Sequence, residues 1–124
     1  MKFLVMIYID ESLMSAIPQA AYAETMRNCI AHAEEMKQAG TILDSQQLEA
    51  PSTAKSVRVR GGQRSVLDGP FAETKEYLGG FNLIEAADMD EALRIADEFP
   101  WAKWGSIEVR PVKDMAVVRA AVAS

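Results

Sequence analysis

The chain has 124 residues, of which 49% are hydrophobic and 25% charged, and its formal net charge is -5. This length and this balance are typical of one globular domain with a substantial core. Nucleic acids and anionic membrane surfaces attract clustered Lys and Arg, so this acidic chain is expected to bind neither. No apolar run in the sequence approaches the roughly 20 residues that span a bilayer.

Cysteine and histidine each occur once, as Cys29 and His32. A single cysteine cannot form an internal disulfide and fits a reducing compartment, so we expect a cytoplasmic protein. One cysteine and one histidine also argue against a His/Cys metal site within one chain.

The first predicted strand covers residues 2–9, which are rich in β-branched and aromatic side chains. Its alternation places apolar side chains on both faces: Phe3, Val5, Ile7 and Ile9 on one, and Leu4, Met6 and Tyr8 on the other. Both faces are therefore expected to be covered. Residues 19–39 then show helical spacing that stops at Gly40, with an apolar stripe of Tyr22, Met26, Cys29, Ala33 and Met36.

A β-hairpin is predicted in the middle of the chain. Residues 56–60 alternate valine with arginine, Gly61-Gly62 is a two-residue turn signal, and residues 63–67 return. Extended segments are predicted before it at residues 41–48 and after it at residues 77–86.

The last part of the chain predicts a second helix and a final strand. Asp88, followed three residues later by Glu91, has the pattern of a capping box. The helix is expected to end at Pro100, and its predicted buried residues are Ala92, Leu93, Ala96 and Phe99. A strand is predicted over residues 104–112, and residues 113–124 are interpreted as a tail or as a segment packed on a partner subunit.

With the hairpin set aside, the order strand-helix-strand-strand-helix-strand is that of the ferredoxin-like split β-α-β unit, an α+β fold. Two helices cover only one face of such a sheet. The other face is expected to carry some of Leu4, Met6, Tyr8, Asn82, Ile84, Glu108 and Arg110. Because an exposed apolar patch of that size usually marks an interface, we predict a homodimer whose sheets pack face to face, with pockets between sheet and loops.

The segment after the hairpin, residues 68–81, reads DGPFAETKEYLGGF. Its Gly79-Gly80 pair lacks the pattern of a phosphate loop and predicts a β-bulge or the close approach of another backbone. This motif resembles the signature of the DGPF-domain proteins of the YCII-related group. The opening KFLVMIY at residues 2–8 and the closing GSIEVRPV at residues 105–112 resemble the same group, so the resemblance covers nearly all of residues 1–112.

The resemblance implies a single domain over residues 1–112 that forms a dimeric α+β barrel. It implies little about activity. Distant relatives in the same fold group act on small aromatic or lactone substrates, and some YCII-type proteins carry a His-Asp pair with the His on the first helix. In this chain the equivalent place is near Cys29 and not at His32, which argues against inheritance of that mechanism.

Asp68 and Glu73 are the candidate catalytic residues. Asp68 lies at a predicted strand end, where a partly buried carboxylate with its pKa shifted by neighbouring charge can act as a general acid or base. The alternative is that Asp68 caps its turn by accepting backbone N–H bonds. Glu73 and Lys75 point to opposite sides if the segment is extended, so either one of them faces a cleft or each forms a surface salt bridge.

The candidate binding residues are Tyr8, Lys75, Arg110 and His32. Arg110 suits a carboxylate ligand and equally an ion pair with Glu108. An imidazole is suited to proton transfer, yet His32 lies at the edge of an apolar stripe, as boundary residues do. Phe71 is expected to anchor its loop in the core or the dimer interface, and Trp101 to pack under a helix end or line a pocket mouth.

Two functions of different classes remain. In the first, a small-molecule enzyme binds an organic acid or aromatic compound in a dimer-associated cleft, and Asp68 or Glu73 moves a proton. That chemistry requires no metal or nucleotide, so no cofactor is expected. In the second, the chain is a non-catalytic ligand-binding or regulatory dimer module, and the signature loop sets the geometry of the dimer.

Overall fold

The computed structural model describes residues 1–123 and has a four-stranded sheet, a separate two-stranded hairpin and four α-helices in that range. In chain order the elements are β1 (Lys2–Asp10), α1 (Glu11–Met14), α2 (Gln19–Gln38), β2 (Ile42–Gln47), β3 (Lys55–Arg60), β4 (Gln63–Asp68), β5 (Glu76–Glu85), α3 (Met89–Ala96), β6 (Gly105–Pro111) and α4 (Met115–Ala121). Short 3-10 helices occupy Pro51–Thr53 and Pro100–Trp104. The coarse prediction of an α+β fold is confirmed.

The main sheet has the strand order β2-β5-β1-β6, and each neighbouring pair is antiparallel. The apolar strand β1 lies in the middle, with Val5 opposite Asn82 of β5 and opposite Val109 of β6. After β1 the chain crosses through α2 and returns at the edge, as β2. The most apolar strand thus occupies the most enclosed position, as its two apolar faces predicted.

The core lies between the sheet and the helices. On the sheet side it contains Phe3, Val5, Ile7, Ile9 and Ile84, and the predicted stripe of α2 packs against them: Tyr22, Met26, Cys29, Ala33 and Met36. Removing a side chain such as Phe3 or Ile84 from water stabilises the fold by roughly 1.5–3 kcal/mol. Helix α3 joins the same cluster through Ala92 and Ala96, so both long helices cover one face of the sheet.

The opposite face differs from the prediction at two positions. Ile84 lies opposite Phe3 and Asn82 lies opposite Val5, so both side chains point towards the helices. The open face carries Leu4, Met6 and Tyr8 of β1 with their register partners Leu83, Phe81 and Leu78 of β5, and Arg110, Glu108 and Ser106 of β6. The register between β1 and β5 decides this assignment, and hydrophobic alternation within β5 alone does not fix it.

The glycine pair in β5 produces both features predicted for it. The register between β1 and β5 shifts between Ile7, which faces Gly80, and Tyr8, which faces Leu78, so Gly79 is an extra residue. A Cβ on Gly80 would lie 2.8 Å from the backbone oxygen of Gln46, which is closer than real Cβ contacts allow. Neighbouring β2 therefore approaches β5 closely at this position.

The predicted hairpin is present as β3 and β4, joined by Gly61 and Gly62 with positive φ values of 58° and 78°. It stands apart from the main sheet, and its paired residues Val57 and Val66 are exposed. Phe71, which follows the hairpin, is 75% exposed. The expectation that this ring is anchored in the core is therefore wrong for the protomer, and its place in a dimer interface stays a prediction.

Helix α3 begins as predicted and ends earlier. The Asp88 side chain accepts a hydrogen bond of 2.8 Å from the Glu91 backbone N–H. The helix ends at Ala96, and Leu93 is exposed while Ile95 packs against the core, which corrects the predicted buried stripe. Pro100 begins the following 3-10 helix instead of terminating α3, because its fixed φ suits a first helical position.

The C-terminal segment forms helix α4, which the sequence pattern did not predict. The Asp114 side chain accepts a hydrogen bond of 2.9 Å from the Ala116 backbone N–H and caps the helix. Met115 and Val117 of this helix are exposed in the protomer. Packing of this segment on a partner subunit stays a prediction, and Ser124 lies outside the described residues.

Candidate functional site

A cavity of about 460 Å³ lies between the sheet and helix α2. Its walls are mostly apolar and aromatic, and they include Ile7, Ile9, Tyr22, Met26, Cys29, Ala33, Phe99 and Trp101. The edge strand β2 and the residue after it close one side, through Ser45, Gln46, Gln47 and Leu48. A concave, largely apolar space with a few polar groups is the usual form of a small-molecule site.

The glycine bulge helps to keep this cavity open. Gly79 and Gly80 both line it and contribute no side chain to fill it. A Cβ on Gly79 would lie 3.0 Å from Ile9 Cγ1 and 3.9 Å from the Tyr77 ring. The bulge that the sequence motif predicts therefore lies beside the cavity.

Asn82 is the buried polar group of the cavity. Its residue exposure is 4%, and it lines the cavity from the helix-facing side of β5. Among the described residues its Oδ1 atom has no hydrogen-bond partner. Buried polar atoms in proteins are nearly always hydrogen-bonded, so this oxygen is a marked exception.

A tyrosine and a glutamate form a polar pair in the wall of the cavity. The Tyr77 hydroxyl donates a hydrogen bond of 2.9 Å to Glu11 Oε2, and both residues line the cavity. Burial, followed by the hydrogen bond to Glu11 and the charge of that carboxylate, raises the pKa of Tyr77 to about 12. The Tyr77 phenol is therefore held neutral as the hydrogen-bond donor of the pair, and Glu11 is the acceptor.

Trp101 combines the two roles considered for it. It is buried, its ring lies 6.3 Å from that of Tyr22 and 5.7 Å from that of Trp104, and it also lines the cavity. Its Nε1–H lies 3.3 Å from Cys29 Sγ, to which it donates a hydrogen bond. This contact holds the indole in the wall of the cavity.

A second cavity of about 310 Å³ lies on the other side of Cys29, and His32 lines it. The His32 Nε2 atom is 3.5 Å from Glu98 Oε2. His32 is thus placed beside a different cavity from the one that contains Asn82 and Tyr77. A binding role for His32 stays a prediction, and it would involve this second cavity.

The two predicted catalytic carboxylates lie away from both cavities. Asp68 ends β4, its side chain is 87% exposed, and it pairs with the Lys55 ammonium. That contact also differs from the capping alternative, in which Asp68 accepts backbone N–H bonds. Glu73 is exposed as well. A catalytic role for Asp68 and Glu73 stays a prediction that the geometry of the protomer does not support.

The remaining predicted binding residues are spread over the sheet and its end. Tyr8 lies on the open face and donates to Met6 Sδ at 3.9 Å. Arg110 Nη2 is 2.6 Å from Glu108 Oε2, the pairing considered as its alternative role. Lys75 Nζ is 3.6 Å from Asp10 Oδ2. None of these three residues lines either cavity.

Sequence reasoning overlooked Asp10, which is buried at the end of β1. It accepts hydrogen bonds from the Ser12 hydroxyl at 2.6 Å and from the Ser12 backbone N–H at 3.0 Å. These bonds, the hydroxyl first, together with the Lys75 charge hold the pKa of the Asp10 carboxyl below its ordinary value against the opposing effect of burial. The D-x-S spacing of a helix cap was the available signal.

The cavity residues were also overlooked as site candidates. Asn82 is the one polar residue in the apolar run at residues 81–84, which is a usable signal. Glu11 and Tyr77 gave no comparable signal, because they are 66 residues apart and meet only through the pairing of β1 with β5. No group of three or more potential metal ligands occurs in residues 1–123, and no helix there is long and apolar enough to span a membrane.

The YCII-related domain matches residues 1–116 of the chain. The chain belongs to the YCII-related family. An uncharacterized protein of Rhizobium meliloti is 40% identical over 114 residues, which cover 90% of this chain and 92% of that protein. The predicted family is therefore confirmed, and this relative brings no stated activity with it.

A solved structure shares the fold of this YCII-related chain. It is 5-chloro-2-hydroxyhydroquinone dehydrochlorinase from Burkholderia phenoliruptrix in complex with 2,5-dihydroxybenzoquinone. The comparison gives a TM-score of 0.54 at 18% identity and covers 91% of this chain and 94% of that one. At this identity the likeness establishes the fold alone.

Proposed function

We propose that this YCII-related protein is an enzyme that binds a small organic molecule between its sheet and helix α2 and moves a proton on it. The observation that carries the proposal is the cavity of about 460 Å³, with aromatic walls and a polar pair at Tyr77 and Glu11. The dehydrochlorinase of similar fold is an enzyme with a small cyclic compound bound, which supports the same class of function.

Glu11 is the carboxylate best placed to accept a proton. It lines the cavity, whereas Asp68 and Glu73 do not. The raised pKa keeps the Tyr77 phenol neutral into alkaline solution, so it can donate a hydrogen bond to a substrate oxygen. Asp68 and Glu73 keep their proposed role only in an assembly that brings them to a cavity.

We further propose that the protomer is a ferredoxin-like split β-α-β unit that pairs into a dimeric α+β barrel. Three apolar surfaces support this pairing. Leu4 and Phe81 are half-buried on the open face, the exposed Met115 and Val117 lie on α4, and Phe71 is exposed beside the hairpin. Contiguous exposed apolar patches are characteristic of an interface.

Ligand binding is tested by thermal denaturation with a panel of aromatic compounds and organic acids. A ligand at 100 times its Kd stabilises the protein by about 2.7 kcal/mol, which raises Tm by roughly 10 °C in a domain of this size. Ala33→Trp, which fills the cavity lined by Ala33, is expected to abolish the shift. Ala31→Trp on the exposed side of α2 is the matched control and is expected to preserve it.

A non-catalytic binding module is the second candidate. It is favoured by the raised pKa of Tyr77, because a phenol with that pKa exchanges a proton poorly at neutral pH. Glu11 is then the one member of the polar pair that can accept a proton. The two functions are separated by incubating the protein with each ligand that shifts Tm and analysing the mixture by mass spectrometry and NMR. Product formation supports the enzyme, and recovery of unchanged ligand in every case supports the module.

A further inference from the structure

We infer that Asn82 is the specificity-determining residue of the sheet–α2 cavity and that it recognises a hydroxyl group on an uncharged aromatic ligand. The inference rests on the proposed function, since it assigns the ligand class of the same cavity. Asn82 is 4% exposed, lines the cavity, and has an Oδ1 atom without a partner among the described residues. An oxygen in that state requires a donor that the chain does not supply.

The neighbours of Asn82 explain why its oxygen stays unpaired. Across the two adjacent strands its register partners are Val5 and Ser45. Val5 is fully buried and apolar, and Ser45 donates no hydrogen bond to Oδ1. An apolar side chain of similar size would remove the unpaired oxygen, so we expect the amide to lower the stability of the fold at this position.

The charge of the cavity selects among ligands. Its lining contains the carboxylate of Glu11, and none of its lining residues is Lys or Arg. A carboxylate ligand would be taken out of water here without an opposing charge, which is strongly unfavourable. The cavity therefore favours an uncharged ring over an organic acid. Of the two ligand classes expected from the sequence, aromatic compounds and organic acids, the first fits the cavity better.

The shape of the site agrees with a hydroxylated ring. Trp101, Tyr22 and Met26 supply aromatic and thioether surfaces on the helix side, and the Gly79-Gly80 bulge leaves room beside the amide. A ligand hydroxyl can donate a hydrogen bond to Oδ1, whereas the oxygen of a methyl ether has no proton to donate.

The experiment compares two pairs of probes on the wild-type protein and on Asn82→Leu. Phenol and hydroquinone carry the hydroxyl, and anisole and 1,4-dimethoxybenzene are their methyl ethers without a donor. Affinities are measured by isothermal titration calorimetry, with benzoate as the anionic probe. Gln63→Leu on the exposed hairpin is the matched amide-to-leucine control, outside the cavity.

The wild-type protein is expected to bind each hydroxylated ring at least tenfold more tightly than its methyl ether, because a donor-less ring leaves the buried amide unpaired. Benzoate is expected to bind more weakly than phenol. Asn82→Leu should lose at least tenfold in affinity for the hydroxylated rings and change little towards the ethers. Its Tm without ligand should rise by a few degrees, which also shows that the variant folds.

Undiminished binding of phenol and hydroquinone to Asn82→Leu would overturn the assignment of Asn82 and leave the proposed cavity function standing. Preference for benzoate over phenol would overturn the ligand class. If no ring binds the wild-type protein, the inference is overturned. If, in addition, Ala33→Trp leaves the thermal shift of every compound in the panel unchanged, the proposed function is overturned as well.

Discussion

The phenol of Tyr77 and the carboxylate of Glu11 are joined by a hydrogen bond of 2.9 Å, although they are 66 positions apart in the chain. Strand β5 carries Tyr77 to the end of β1, where Glu11 begins helix α1. The pair lines the cavity and is its strongest candidate for proton chemistry. Its properties are accessible to experiment before any substrate is identified.

Removal of the Tyr77 hydroxyl is expected to change the dependence of stability on alkaline pH. The pKa of Tyr77 is raised from 10 to about 12, so the folded state favours the neutral phenol. Its stabilisation is fully present below pH 10 and is lost as the pH rises towards 12. Two pKa units correspond to at most ~2.7 kcal/mol, and partial solvation of this phenol reduces the expected effect to about 1 kcal/mol.

The measurement is urea denaturation at a series of pH values for the wild type and Tyr77→Phe. The wild type should lose about 1 kcal/mol more than the variant across this alkaline range. Tyr8→Phe is the control, because Tyr8 contacts a thioether and not a carboxylate. Identical alkaline profiles for Tyr77→Phe and the wild type would show that neither burial nor the hydrogen bond to Glu11 holds the phenol neutral.

Two carboxylate substitutions distinguish the cavity that contains Glu11 from the signature loop that contains Asp68 as the site of catalysis. Once a substrate is found, Glu11→Gln is expected to lower kcat about 100-fold, the lower end of the usual effect of removing a general base. Asp68→Asn is expected to stay within about twofold and to change the free energy of unfolding by less than about 1 kcal/mol, since its pair with Lys55 is exposed. The opposite pattern, with Asp68→Asn inactive, would return catalysis to the signature loop.

The fold was largely predictable from the sequence because its signals are local. Each of these signals depends on a few adjacent residues: the alternation of β1, the apolar stripe of α2, the turn at Gly61-Gly62 and the cap at Asp88. The site was not predictable in the same way. It depends on the register that turns Asn82 towards the helices and brings Tyr77 to Glu11, and a one-residue bulge at Gly79 affects that register.

The decrease in the free energy of unfolding as the pH falls is expected to depend on Ser12. The Asp10 pKa is lowered first by the hydrogen bond from the Ser12 hydroxyl, so the ionised carboxylate is favoured in the folded state. Its contribution is present above the ordinary pKa of 3.8 and is lost as the pH falls through the lowered value. Ser12→Ala should therefore be less stable than the wild type at neutral pH, and the two proteins should converge in acid.

Denaturation curves at stepwise lower pH test this prediction, with direct titration of the Asp10 carboxyl by NMR. Ser15→Ala is the control, because this exposed serine contacts the same helix through its backbone N–H. A carboxyl pKa that is the same in Ser12→Ala and the wild type would assign the lowering to Lys75 and the backbone instead.

The proposed dimer predicts a sharp response to charge on the open face of the sheet. Phe81 lies on this face opposite Met6 and is half-buried in the protomer. If a second copy covers the face, Phe81→Asp would bury an unpaired carboxylate in the interface, which is strongly unfavourable. Sedimentation at micromolar concentration is expected to give a dimer for the wild type and a monomer for Phe81→Asp. Ala31→Asp, on the exposed side of α2, should remain dimeric, and a wild-type monomer under these conditions would exclude the barrel.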